Sequence, residues 1–413
     1  MSLFGNPATN VNNKSTHVYL DVAITNDKLS QNGDTRPIPV DFNDTRTIPY
    51  LSCGDEYFMS VVRFSIESNL PVAIPEIELP QNAGNLNKTV FSFTFNYTSY
   101  DGSGVPNNYT PIQKYMIFEP ENIYLQAPTN PYPQNPNDVL FNDYYYVNSV
   151  QTVIDMMNKT LTSCYNAMAL IHNGVYPLGT SSAPYLVLDE DTNKITFYGA
   201  SDYFSTPNIT TDITKANSHS VNVFMNASMY NWLNSFPTYN LGYSSTLGQN
   251  YLINFKPLPV NGNIVAQPFT GANGHQYNYY TLTQSYASVP AWVPISSIVL
   301  TSSLIPVEAT NVGSPKVYTN NPIAPLNNAN LSNVISDFEV LLNTGLEYRG
   351  INSYTPTAEY RLSDLRSNTE LSRIQISFSW KDKLGNIHPM VLLSGQSANC
   401  KILFRKKIFN NIQ

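Results

Sequence analysis

The sequence predicts an all-β protein: a single jelly roll, an eight-stranded antiparallel sandwich, interrupted by a large mixed α/β insertion domain. Three observations predict it. The dominant hydrophobic period is two, a long central segment switches to the helical period of about 3.6, and period two then returns toward the C-terminus. The connections are polar and rich in Pro, Asn and Gly, as in Ala127 to Asn137 and Val312 to Asn330.

Taken in order, Val18, Leu20, Val22 and Ile24 alternate with polar or small residues and predict a strand over 17–24. The segment Tyr57 to Ile66 is apolar on both faces and reads as a central sandwich strand within 57–67, followed by a candidate at 73–78. Phe91, Phe93, Phe95 and Tyr97 alternate with Ser92, Thr94, Asn96 and Thr98, which predicts one aromatic face and one wet face. From Val150 the apolar positions Val153, Ile154, Met157, Leu161, Tyr165 and Met168 fall at helical spacing. Asn148 stands as N-cap and Gln151 in capping-box position, so a helix from Ser149 to about Met168 is expected. Tyr185 to Leu188 and Ile195 to Tyr198 read as strands joined by a polar turn. A shorter helix starts at Asn226, carries Met229, Trp232, Leu233 and Phe236, and stops at Pro237.

The C-terminal part returns to strands at 297–304, 336–342, 372–380, 388–393 and 400–407. Within it Ile374, Ile376, Phe378 and Trp380 share one face, and Lys381 to Asn386 forms a turn in which Gly385 permits a positive φ. The two flanks thus supply eight strands, the jelly-roll number. A single core stops growing at roughly 250 to 300 residues, and 413 exceed it. The expected division is a discontinuous jelly-roll domain, 1–80 with 290–413, and an insertion domain, 81–289. Such an insertion is tolerable, because loop closure costs only about 0.6 kcal/mol per doubling of length.

Composition narrows the function. With 42% hydrophobic and 12% charged residues the chain can bury a sizeable core, which excludes wholesale disorder. No window reaches the roughly 18 apolar residues of a membrane span, and the start lacks a basic region and an apolar run, so neither a span nor a secretory route is expected. Cys53, Cys164 and Cys400 are far apart and read as buried thiols. Asn makes up about one residue in eight, which suits an AT-rich genome and accounts for the Asn-X-Ser/Thr matches such as Asn87 to Thr89.

The chemistry-bearing motifs fail one by one. Gly395, Gln396, Ser397, Ala398 ends in Asn399 where a nucleophile elbow needs Gly. Asp189, Glu190, Asp191, Thr192, Asn193 begins like a calcium loop, but Lys194 holds the Gly position and Ala200 the bidentate Glu position. His17, His172, His219, His275 and His388 show no metal-site spacing and read as surface or edge residues. No glycine-rich phosphate loop and no nominated carboxylate pair is present. No catalytic residue, metal or cofactor is therefore expected, and the chain does not read as an enzyme. The net charge of −7 disfavours nucleic acid. Lys401, Arg405, Lys406 and Lys407 form the one basic cluster, suited either to nonspecific contact with phosphates or to guarding a sheet edge.

SDFEV at Ser336 to Val340, YRLSDL at Tyr360 to Leu365, and SFSWKDKLGNIHPMVLLSGQSANCKILFRK from Ser377 to Lys406 carry a resemblance. With SYASVPAWVPISSIVLTSSLIPV from Ser285 to Val307, and PYLSCGDEYFMSVVRFSI more loosely, the chain resembles the penton (minor capsid) proteins of virophages and polinton-like viruses. The resemblance implies a single jelly roll assembled as a homopentamer at the vertices of an icosahedral double-stranded DNA virus capsid, beside a separate major capsid protein. It implies no catalytic or cofactor residues. Candidates for subunit-interface contacts are Arg361, Asp364, Arg366 and Glu370 before the Trp380 strand, and Lys381, Asp382 and Lys383 in the turn after it. The alternative is a carbohydrate- or receptor-binding β module displayed on the virion, its platform built from Tyr and Trp of the insertion.

Overall fold

The structure, a computed structural model, describes residues 16–27, 37–68, 70–78, 85–121, 126–128, 139–140, 142–171, 182–204, 216–242, 248–255, 267–270, 276–307, 334–339, 351–355 and 361–407. His172, His275, most of Ala127 to Asn137, Val312 to Asn330 and positions 340–342 lie outside the described residues.

Alternation builds the sandwich strands. In Arg373–Asp382 the residues Ile374, Ile376, Phe378 and Trp380 are buried, and in Ser397–Lys406 so are Ala398, Cys400, Ile402 and Phe404. Among the described residues eight longer strands form the frame of the sandwich, with Ser363–Asp364 and Ile387–Pro389 extending its edges: β1 (His17–Thr25), β2 (Asp41–Thr45), β3 (Tyr57–Glu67), β4 (Ile295–Thr301), β5 (Val334–Glu339), β6 (Ile351–Tyr354), β7 (Arg373–Asp382) and β8 (Ser397–Lys406). One sheet has the order β1-β8-β3-β6 and the other β2-β7-β4-β5, with every neighbouring pair antiparallel. Early and late strands alternate in both sheets, which is the jelly-roll connection pattern. Phe64 of β3 joins the sheets. Its ring centroid lies 5.0 Å from Phe338 of β5 and 5.5 Å from Phe378 of β7, and it stacks on Tyr354 of β6.

Six of the eight expected strands are sandwich strands; two are not. Segment 73–78 makes only the isolated bridges Ala73 to Val147 and Ile77 to Thr89, because Pro71 and Pro75 remove ladder donors. Segment 388–393 breaks at Pro389 into Ile387–Pro389, paired with β7, and Val391–Leu392, paired with Ile38–Pro39. Their places are taken by β2 and β6. The two-sided apolar reading of β3 also needs revision: Lys401 faces Arg63 but Ile402 faces Val61, so Val62 is an extra residue. This bulge shifts the phase, burying Tyr57, Met59 and Val61 before it and Phe64 and Ile66 after it on the same face.

The chain divides into two compact units. One comprises Met1–Leu70, Ile295–Leu341 and Arg349–Gln413, and holds the jelly roll; the other comprises Pro71–Pro294 and Leu342–Tyr348. In the second unit Lys88–Tyr100 is the central strand, flanked by His219–Met225, Ile112–Ile117 and Pro106–Asn108. Phe93, Phe95 and Tyr97 are buried, but so are Ser92 and Thr94, which corrects the expectation of a wet face. The hydroxyls of this strand find protein partners: Ser92 Oγ accepts from Gln113 Nε2 at 2.9 Å, and Thr98 Oγ1 donates to Asn108 at 2.9 Å. Among the described residues this unit carries the helices α1 (Val150–Ile171) and α2 (Ala227–Trp232). At α1 the reciprocal half of a capping box, Gln151 to the Asn148 N–H, does not form. Glu121 accepts the Asn148 backbone N–H at 2.7 Å, and Gln151 instead donates to Asp155. Asn226 caps α2, accepting from Met229 N at 3.0 Å. Tyr185–Asp189 and Lys194–Gly199 form the hairpin read from the sequence, with Asn193 at φ 55°.

Candidate assembly surface

The turn between β7 and Ile387–Pro389 is built around one carboxylate. Asp382 Oδ1 accepts the backbone N–H groups of Leu384 and Asn386, both at 2.8 Å, while Oδ2 accepts from Asn386 Nδ2 at 2.9 Å. His388 Nε2 lies 3.0 Å from Oδ2, and the imidazole stacks on Trp380 with centroids 4.0 Å apart. Gly385 takes φ 91°, the left-handed conformation the turn requires. Burial alone raises the Asp382 carboxyl, but the hydrogen bonds from His388 and Asn386 outweigh it and hold the pKa below the ordinary value of 3.8. Two sequence readings change here. Asp382 is 2% exposed, so its carboxylate organises the turn and is not available to a neighbouring subunit. His388 lies on Ile387–Pro389 at the end of its sheet, but at 4% exposure it is buried and not a surface residue.

The other candidates fall in separate places. Arg361 Nη1 donates to the Asp337 carbonyl at 3.0 Å, and Lys381 Nζ pairs with the Asp337 carboxylate on β5. Two residues twenty apart in sequence thus converge on one acid. Asp364 lies elsewhere: Ser363–Asp364 pairs with Phe58 and Met59 of β3, and its carboxylate meets Lys407 Nζ at 2.9 Å. Arg366, Glu370 and Lys383 are exposed. The backbone N–H of Arg366 donates to Pro306 O at 2.8 Å.

The basic cluster is largely neutralised within the chain. Lys401 pairs with Asp21 at 3.3 Å, Lys406 with Glu56 at 3.7 Å and Lys407 with Asp364. Moreover β8 lies between β1 and β3, so these cations do not guard a sheet edge. Burial pushes the thiols of Cys164 and Cys400 up to about 12, while Cys53 is half-buried. His17 is exposed and 3.0 Å from Thr16 Oγ1, and His219 pairs with Asp202 at 2.9 Å. Among the described residues no group of three His, Cys, Asp or Glu side chains is placed to hold a metal ion, and no helix is long and apolar enough to cross a membrane.

Comparison with known proteins supplies the context. The family model for the Sputnik minor capsid protein V18/19 matches residues 18–406. The structural protein V19 of Sputnik virophage is 23% identical over 219 residues, covering 53% of this chain and 92% of V19. The uncharacterized protein V18 of the same virophage is 31% identical over 155 residues, 36% of this chain and 81% of V18. Among solved structures, a chain of the Sputnik virophage, determined by cryo-EM at 3.5 Å resolution, superposes with a TM-score of 0.73 at 24% identity. It covers 95% of this chain and 98% of that one. The mavirus penton protein superposes with a TM-score of 0.57 at 16% identity, covering 95% and 100%. A match spanning both flanks and the whole insertion, on a jelly-roll frame, establishes that the chain belongs to the Sputnik minor capsid protein V18/19 family, the structural minor capsid proteins of virophages.

Proposed function

We propose that the chain forms homopentameric vertices of an icosahedral double-stranded DNA virus particle, standing beside a separate major capsid protein. The jelly roll, assigned to 1–80 and 290–413, builds the shell, and the insertion domain, 81–289, is carried between β3 and β4. The observation that carries this reading is the family match over 18–406 on an uninterrupted jelly-roll strand order. A fold likeness to a mavirus penton protein supports it. Five identical subunits close a ring only through a heterologous contact, two different patches of each subunit meeting at every joint. Arg361, Asp364, Arg366, Glu370, Lys381 and Lys383 are the polar candidates for those patches. Arg361, Lys381 and Asp364 are already held by partners in the chain, so they offer a fixed geometry that sets register more than affinity.

Contact with packaged DNA is confined to a minor role. Of the four cations on β8 and just beyond it, three bond carboxylates, and a single remaining cation, Arg405, gives a salt slope of about −1 at most. The decisive test of the vertex reading is location. Imaging of labelled particles should show the chain at the vertices, five copies at each; density in the facets, or absence from purified virions, overturns it. Purified protein with a mass of five times 46.2 kDa supports the ring, whereas a monomer that binds glycans supports a displayed binding module instead.

A further inference from the structure

Each sheet of the jelly roll ends in two edge strands, β1 and β6 in one sheet, β2 and β5 in the other. An unpaired edge presents a row of backbone N–H and C=O groups, and proteins blunt such edges with charge, proline, bulges or brevity. Three of the four edges carry that protection. Strand β2 follows Pro39 and contains Asp41, β5 carries Glu339 beside its Lys381-paired Asp337, and β6 is four residues long.

Strand β1 carries none of it. Its nine residues, HVYLDVAIT, include no proline, lysine or arginine, and they pair with β8 over their whole length without a register shift. Its one carboxylate, Asp21, is neutralised by Lys401. Among the described residues nothing pairs with its outer edge. A long, regular, weakly charged edge of this kind fits one sort of partner, another extended backbone that adds a strand.

We propose that β1 of one subunit pairs with β6 of the next copy, so that the β1-β8-β3-β6 sheet continues from subunit to subunit around the ring. This rests on the homopentamer reading and specifies its joint. The two strands are opposite edges of the same sheet, so the contact is heterologous, as ring closure demands. Strand direction agrees as well. Four antiparallel strands leave β1 and β6 running oppositely, and copies laid side by side in one sheet therefore bring β6 antiparallel to the neighbour's β1. In that arrangement the hydrogen bonds run straight across the joint.

Side chains match across the same seam. Ala23, Asn399, Ser65 and Ser353 lie in one row across the four strands, which places Ser353 on the same outer face as Ala23, with Asp21 and Tyr19 two and four residues from it along β1. Ile351, on that face too, is 59% exposed, and Tyr19 is 56% exposed. They are large apolar groups stranded at opposite edges of one polar face. Head-to-tail pairing places both along the same joint, and with Ser353 opposite Tyr19 they become diagonal neighbours that supply an apolar anchor.

The test uses the full chain with Cys53→Ser as background. Ser353→Cys is combined in turn with Tyr19→Cys, Asp21→Cys or Ala23→Cys, and each variant is oxidised and run on a non-reducing gel. Directly opposed Cβ atoms in an antiparallel pair lie about 4.5–5.5 Å apart, close to disulfide reach. At least one combination should give a covalent ladder that ends at five chains. Separately, Tyr19→Lys and Ala23→Lys should keep the parent's circular dichroism and melting temperature while raising the concentration needed for pentamer, read by native mass spectrometry, at least tenfold. Pentamers that persist in both lysine variants, with no ladder in any cysteine variant, overturn the strand pairing and leave the pentamer standing. A parent chain that is five-fold neither in solution nor in particles overturns both.

Discussion

Trp380 is 2% exposed, shares its face with Ile374, Ile376 and Phe378, and lies flat against His388. Removing its ring leaves a cavity between two sheets that cannot collapse freely. Trp380→Ala should therefore cost about 3–5 kcal/mol, a large part of the 5–15 kcal/mol typical of a domain, and shift the urea midpoint accordingly. The neighbouring acid makes a second prediction. The Asp382 pKa is depressed in the folded chain, so its contribution is fully present above the ordinary value of 3.8 and is lost as pH falls through the lower folded value. Melting temperatures of the parent and Asp382→Asn should differ most near pH 5–7, and the gap should narrow as pH falls below 3.8. A gap that stays constant down to pH 2.5 would contradict this. Spacing rules display the face of Trp380 directly. They cannot display the Asp382 to His388 bond, because the two residues meet only after the chain has folded back through Gly385.

At the scale of elements, what was legible depended on whether a segment's own side chains determine it. Strands β1, β7 and β8 each bury alternating apolar residues, so alternation finds them, and β3 is found as an apolar run. Strands β2 and β6 were missed because they bury little: DFNDT has one apolar side chain, and INSY presents Ile351 to solvent. Their extended form comes from pairing with β7 and β3, which is tertiary information. The wet face expected for Lys88–Tyr100 failed for a related reason, since Ser92 and Thr94 are covered by protein groups that satisfy them locally. Asn226 ties these levels together. Its Oδ1 accepts from Met229 N of α2 and from Ser92 N at 3.1 Å, and its Nδ2 donates to Val90 O at 2.6 Å. An ordinary cap is worth about 1 kcal/mol, and stranding further buried groups adds to that. Asn226→Ala should cost about 2–3 kcal/mol, with hydrogen exchange quickening at both Ser92 and Met229; quickening at Met229 alone would reduce Asn226 to a helix cap.

On the scale of the whole molecule, the period switch in the sequence led to an expected exit near residue 80 and a return near residue 290. The change of unit falls between Leu70 and Pro71 and again between Pro294 and Ile295. Segment 73–78 reads as a strand because it is apolar, but its bridges run to Val147 and Thr89 of the second unit. The apolar contacts that join the sandwich, Phe64 with Phe338, Phe378 and Tyr354, all lie inside the jelly-roll unit. If that unit is an independent domain, replacing 71–294 with a linker of about fifteen Gly and Ser residues should leave it folded. The shorter loop is nearly four doublings smaller, which lowers the entropic cost of closing it by about 2 kcal/mol. The replacement also simplifies the readout, because Trp232 and Trp292 depart and Trp380 becomes the sole tryptophan. Its emission should stay blue-shifted and be lost in one cooperative urea transition with the β-rich circular dichroism. A soluble product whose Trp380 emission is already that of a hydrated indole would show that the sandwich needs the insertion to close its core. The same shortened chain separates the roles of the two parts. If β1 and β6 close the ring, it should still assemble as pentamers, since both edges belong to the part retained.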